Sequence, residues 1–158
     1  TIDKLQKPDA NGGRHIEPKA WWEGLQRSYA GRGIEFVLEG LDETVLIPKE
    51  LFDSAGDNLL QNALRKRRLD ESVTIRASLR CDNAIEFCVC DSGSPVAAEV
   101  LNGLMRGPVP TESGFGIGLY QTAKLAEISG FSLQLRDNES GRVCFSLRGE
   151  VRRGARSQ

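Results

Sequence analysis

The chain has 158 residues, enough for one domain with a two-layer core. Apolar content of 39% and charged content of 27% are ordinary for a globular protein, and 21 basic against 22 acidic residues leave no global field to draw it to nucleic acid or an anionic membrane. No apolar run approaches the ~20 residues that span a bilayer, and Thr1-Ile2-Asp3-Lys4 lacks the apolar stretch of a signal peptide.

Taken in chain order, residues 1–16 carry Pro8, Asn11, Gly12 and Gly13 with little apolar content, which is linker chemistry. Glu17-Pro18 can open a helix at Lys19 whose stripe is Trp21, Trp22, Leu25 and Tyr29. Gly31-Arg32-Gly33 breaks it. Residues 34–38 and 44–47 read as two strands, with Leu41-Asp42-Glu43 as the turn of a hairpin. Pro48 then precedes a long helix over 49–67, where Leu51, Phe52, Ala55, Leu59, Ala63 and Leu64 recur at near-helical spacing.

Residues 73–79 and 84–90 read as strands around an Asp82-Asn83 turn. Ile85, Phe87 and Val89 alternate toward one face, and Asp91 continues that face past the strand end. A lid-like stretch over 92–113 follows, with a short helix expected near 97–105. Residues 118–129 favour a helix ended by Gly130, and 131–135 with 143–147 form a last hairpin around Asn138 and Gly141. The basic tail, 148–158, is expected to be mobile. This order predicts an α+β two-layer sandwich: an antiparallel or mixed sheet with helices on one side.

Cys81, Cys88, Cys90 and Cys144 all fall in or beside strand runs, and Cys88 and Cys90 share one sheet face. A zinc site wants paired ligands on turns, and the only histidine, His15, is distant. The expectation is four reduced structural thiols.

Chemistry concentrates in three segments. In Asp57-Asn58-Leu59-Leu60-Gln61-Asn62-Ala63-Leu64-Arg65-Lys66 the two asparagines four apart share a helix face, with Arg65 and Lys66 a turn further along. The Asn62 carboxamide oxygen is a neutral hard ligand suited to a magnesium ion that leans mostly on phosphates. In Asp91-Ser92-Gly93 a carboxylate at the open end of the sheet can accept from an adenine amino group and repels the carbonyl that guanine offers at that edge. Gly93 lets backbone approach the ring. In Gly114-Phe115-Gly116-Ile117-Gly118-Leu119 alternate glycines open a helix whose N–H groups can face an anion. A dinucleotide-binding loop would follow a βα unit early in the fold, so that reading is rejected.

The ordered trio over residues 33–147 resembles the ATP-binding domain of sensor histidine kinases, a fold shared with gyrase-type, Hsp90-type and MutL-type ATPases. The resemblance implies ATP and Mg2+ as cofactors and an ATP-binding catalytic domain over 17–147. It implies Asn58 and Arg65 in catalysis, with Asn58, Asn62, Arg65, Lys66, Asp91, Gly93, Gly114, Gly116, Gly118 and Leu119 at the nucleotide and Asn62 on the metal. Three departures stand out: Pro95 replaces a family glycine, Leu104-Met105-Arg106-Gly107-Pro108 sits near where paired phenylalanines fall, and Arg65 replaces a common lysine.

Hydrolytic relatives carry a glutamate at the position of Asn58 to activate water, and an amide cannot accept the proton. The resemblance therefore favours a kinase acting on a histidine, with a serine kinase of the anti-sigma-factor type or a non-catalytic nucleotide-binding module as alternatives. His15 is a poor acceptor, because Gly12-Gly13 and Pro18 oppose a helix around it. The acceptor histidine, its dimerisation helices and any inner-membrane anchor are expected upstream of Thr1, which is not a Met. The expected partners are that upstream domain and, indirectly, a response regulator, with the fragment monomeric and cytoplasmic and the full-length protein a homodimer.

Overall fold

The computed structural model describes residues 14–42, 44–98 and 115–150. Their elements are β1 (His15–Ile16), α1 (Pro18–Ser28), β2 (Ile34–Gly40), β3 (Ile47–Pro48), α2 (Lys49–Leu69), β4 (Ile75–Cys81), β5 (Ala84–Asp91), α3 (Phe115–Ile128), β6 (Phe131–Glu139) and β7 (Arg142–Glu150). The main sheet has the order β2-β4-β5-β7-β6. β2 runs parallel to β4, and the other pairs are antiparallel. The architecture is the α+β sandwich that the sequence predicts, with a mixed sheet.

The expected hairpin between residues 34–38 and 44–47 does not form. β2 pairs with β4 instead, and parallel neighbours need a crossover, which α2 supplies. Val45 and Ile47 have no exposed surface, because they feed the core from the run into α2. The short β3 pairs with β1, Ile16 opposite Ile47, so part of the expected linker is structured.

α2 carries Glu50 in its first turn and Lys66, Arg67 and Arg68 in its last, the charge order that its dipole favours. Leu51, Phe52, Ala55, Leu59, Leu60 and Ala63 bury its inner face. α1 is held to it at two points: Trp21 Nε1 donates to Asp53 at 3.1 Å and the Tyr29 hydroxyl to Asp57 at 3.2 Å. Trp21 also meets Phe52 and Phe87 edge-on, each at 5.2 Å between ring centroids, which locks both helices onto the sheet.

β6 and β7 form the last hairpin, with Gly141 at φ +89° in the turn, a conformation that costs a side-chain-bearing residue more than glycine. β7 continues to Glu150, so residues 148–150, expected in the tail, belong to the sheet. The calls on 1–13, on the lid over 99–113, on Gly114 and on 151–158 fall outside the described residues.

The four-thiol expectation is corrected. Register puts Cys90 opposite Cys144, with Cα atoms 4.1 Å apart, and a disulfide joins them. The two lie 54 residues apart in sequence, so only strand pairing could reveal their contact. Cys81 and Cys88 are free thiols, and burial pushes Cys81 up to about 11 and Cys88 upward too, which makes both poor nucleophiles.

Candidate functional site

The helical motif of α2 meets the other two motifs. Toward α3, Asn58 Nδ2 donates to Ser54 O at 2.9 Å and to Thr122 Oγ1 at 3.0 Å, and Ser54 Oγ lies 2.7 Å from Thr122 Oγ1. Thr122 is fully buried. A Cβ on Gly118 would fall 2.2 Å from Asn58 Oδ1, so this glycine is required by the close approach of the two helices. Asn58 is thus a brace between α2 and α3, with its amide hydrogens already committed.

One turn on, Asn62 is only 8% exposed. Its Oδ1 accepts from Arg65 Nη1 at 2.9 Å, while its Nδ2 is buried with no hydrogen-bond partner among the described residues. An orphaned buried amide is unfavourable for stability, and it marks this side chain as placed for something other than packing. Arg65 fixes which atom is the oxygen, because a guanidinium facing the NH2 end would set donor against donor.

Lys66 reaches the end of β5. Its Nζ donates to Asp91 Oδ1 at 3.1 Å, to Oδ2 at 3.2 Å and to Ser94 O at 2.8 Å. Asp91 also accepts from the Gly93 amide at 2.8 Å. A Cβ on Gly93 would lie 3.0 Å from Lys66 Cδ and 3.1 Å from Asp91 Oδ1, so the absent side chain makes room for the lysine. The segment is pinned from behind: Ser92 exchanges bonds with Thr74, Gly141 N donates to Gly93 O at 3.0 Å, and Asn138 bonds both the N–H and the C=O of Val96.

The third motif is partly described. α3 begins at Phe115, three residues before the expected start, so Gly116 and Gly118 lie in its first turn. Leu119, next along, is fully buried, so its side chain packs in the core. Pro95 sits in the described loop after Gly93 and is exposed.

Sequence reasoning missed the supports: Ser54 and Thr122 for Asn58, Asn138 for the loop, and the Lys66–Asp91 pair. Only the last had a readable signal, a lysine one helical turn beyond Asn62, and its partner is 25 residues away. Among the described residues no cluster of three or more His, Cys, Asp or Glu could hold a metal. A magnesium ion would have the Asn62 oxygen and the ligand's own phosphates, which suits an ion that keeps most of its waters.

Comparison with known proteins gives a consistent picture. The family described as histidine kinase-, DNA gyrase B- and HSP90-like ATPase matches residues 50–152. No curated protein matches the chain. Among solved structures, the catalytic domain of histidine kinase ThkA superposes with a TM-score of 0.67 at 18% identity, over 87% of this chain and 94% of that one. Full-length ShkA in complex with AMPPNP gives 0.69 at 15% identity, over 87% of this chain and 31% of that one. ThkA in complex with response regulator protein TrrA gives 0.66 at 19% identity, over 90% and 43%.

Proposed function

The chain belongs to the histidine kinase-, DNA gyrase B- and HSP90-like ATPase family, and we propose that it is the ATP-binding catalytic domain of a sensor histidine kinase. In this reading it passes the γ-phosphoryl group of Mg-ATP to a histidine on a dimerisation domain outside the chain. Asp91 takes the adenine amino group. Arg65, Gly114 and the first turn of α3, with Gly116 and Gly118, take the phosphates. Asn62 supplies the protein's oxygen to the metal, whose chemistry is to draw charge from the phosphoryl oxygens.

The observation that carries the choice of kinase over hydrolase is Asn58. Its carboxamide nitrogen is bound to Ser54 and Thr122, and its oxygen sits against Gly118. Such a group cannot take a proton from water. A neutral imidazole already has a nucleophilic lone pair, so phosphoryl transfer to it needs positioning and charge neutralisation more than a base. A serine acceptor would need that base.

The second reading, a nucleotide-binding module without catalysis, is favoured by one feature. Both oxygens of Asp91 are already engaged by Lys66, so an incoming base has to share or displace the lysine.

The test is phosphotransfer. The chain with Mg-ATP alone should show negligible hydrolysis and no self-phosphorylation. Adding a helical dimerisation domain from the same protein, as a separate chain at high concentration, should place acid-labile phosphate on that domain's histidine. Robust turnover by the chain alone, or phosphate on His15, would defeat the kinase reading. Nucleotide binding without transfer would favour the non-catalytic module.

A further inference from the structure

The sheet face turned away from the helices carries a second charged cluster, built on Glu86 of β5. Register sets Arg80 of β4 opposite Glu86 on one side and Arg148 of β7 opposite it on the other. Arg136, at the irregularity between Leu135 and Asp137 in β6, reaches back to the same carboxylate. Arg80 Nη2 lies 3.1 Å and Arg148 Nη1 3.6 Å from Oε1, while Arg136 Nη1 lies 2.5 Å and Ser146 Oγ 2.7 Å from Oε2.

Three guanidinium groups converge on one carboxylate, and among the described residues Asp82, 3.7 Å from Arg80 Nε, is the only other acid paired to any of the three. One positive charge therefore stays uncompensated in the cluster. Elsewhere on this face the pairing is one to one: Arg76 with Glu35 at 3.9 Å and Arg142 with Asp137 at 3.2 Å. The excess is local in a chain whose net charge is −1.

The arrangement keeps donors in reserve. Arg136 and Arg148 each reach Glu86 through Nη1, and their side chains are 54% and 51% exposed. Arg80 Nε is buried and makes no hydrogen bond among the described residues. Glu86 is only 8% exposed, so it holds the three forks from below and presents little of its own charge to a ligand. Burial pushes its carboxyl up, but the Ser146 hydroxyl and the Arg136 charge outweigh that and hold it below the ordinary glutamate value, so it stays ionised as a fixed anchor. Arg80, Glu86, Gln134, Arg136, Ser146 and Arg148 line a cleft of about 350 Å³.

We propose that this arginine-lined cleft is a binding site for a diphosphate-class anion, separate from the nucleotide site on the opposite side of the sheet. Guanidinium forks match phosphate oxygens in pairs, and unfilled donors on both flanks of Glu86 suit a ligand with oxygens on two phosphorus centres. The volume exceeds what one phosphate fills and falls at the lower end of small-ligand sites. Pre-oriented arginines lose little side-chain freedom on binding, since Glu86 already holds them.

The probe is inorganic pyrophosphate, titrated calorimetrically into the whole chain without magnesium. We expect saturable, salt-sensitive binding that weakens about tenfold or more in the double variant R136A/R148A, a loss of at least one charge-assisted bond, and that survives Arg65→Ala, which removes the phosphate contact proposed for the nucleotide site. Because unfolding of the double variant would also abolish binding, the arginine Nε–Hε resonances of the unaltered protein give a second measurement. Shifts of Arg80, Arg136 and Arg148 on titration support the site. No binding at millimolar pyrophosphate, binding lost in Arg65→Ala but kept in R136A/R148A, or Nε–Hε signals that do not move would each overturn it.

Discussion

At the scale of single residues, Asn62 shows how burial sharpens a prediction. Its Nδ2 is a buried donor without a partner among the described residues. Asn62→Ala therefore removes both the oxygen proposed to meet the metal and an unsatisfied group, and alanine is the better helix former. Stability should hold or rise by about 1 kcal/mol, while magnesium-dependent ATP affinity is lost; thermal melts and calorimetry on one preparation read both. Unchanged ATP affinity with magnesium present would remove Asn62 from the metal site. Asp91→Asn should weaken ADP and relax discrimination against GDP, because an amide both donates and accepts. It also discharges the partner of Lys66, so some loss of stability should accompany the change. Equal affinity losses for ADP and GDP would count against base reading.

Between elements, the α2–α3 contact depends on the lack of a side chain at Gly118. Gly118→Ala would put a methyl 2.2 Å from Asn58 Oδ1, and neither partner can retreat without breaking the Ser54–Thr122 contacts. The expected cost is about 1–3 kcal/mol in urea unfolding, as for other overpacked interiors. A neutral result would mean that the helices separate freely there. The disulfide joins β5 to β7 one residue before Asp91 and closes a loop spanning 54 residues. Chain-entropy reasoning gives such a link about 4 kcal/mol. Cys144→Ser in the oxidised protein, or dithiothreitol on the unaltered one, should lower the urea midpoint to the same value. If dithiothreitol lowers Cys144→Ser further, another bond is being reduced.

For the whole molecule, Glu86 makes stability depend on acid. Its carboxyl titrates below the ordinary value of 4.5 when folded, so the unfolded chain takes up the proton first as pH falls. Its contribution is complete above that value and is lost as pH drops through the folded pKa. Unfolding midpoints compared at pH 6 and pH 3.5 should fall on acidification, and Glu86→Gln should flatten the fall. An unchanged slope in that variant would assign the acid sensitivity to other carboxylates, such as Asp70, which Ser72 holds below its ordinary value.

The sequence alone determined the elements whose pattern is local. The period of α2, the β4–β5 pair around Asp82-Asn83 and the last hairpin were legible because helix stripes, strand alternation and turn residues act over a few neighbours. The residue types of the candidate site were legible for the same reason: Asn58, Asn62, Asp91 and the glycines lie in short motifs. What joins distant segments was not legible. The parallel β2–β4 pair, the Cys90–Cys144 link, the Lys66–Asp91 contact and the Asn58–Thr122 brace each depend on register or on helix crossing. Glu86 and the three arginines around it come from four strands, and they look like scattered surface charge until the sheet aligns them. Local propensity chooses the elements; only packing, which sets register and removes water, decides which side chains meet and whether a polar group is left without a partner.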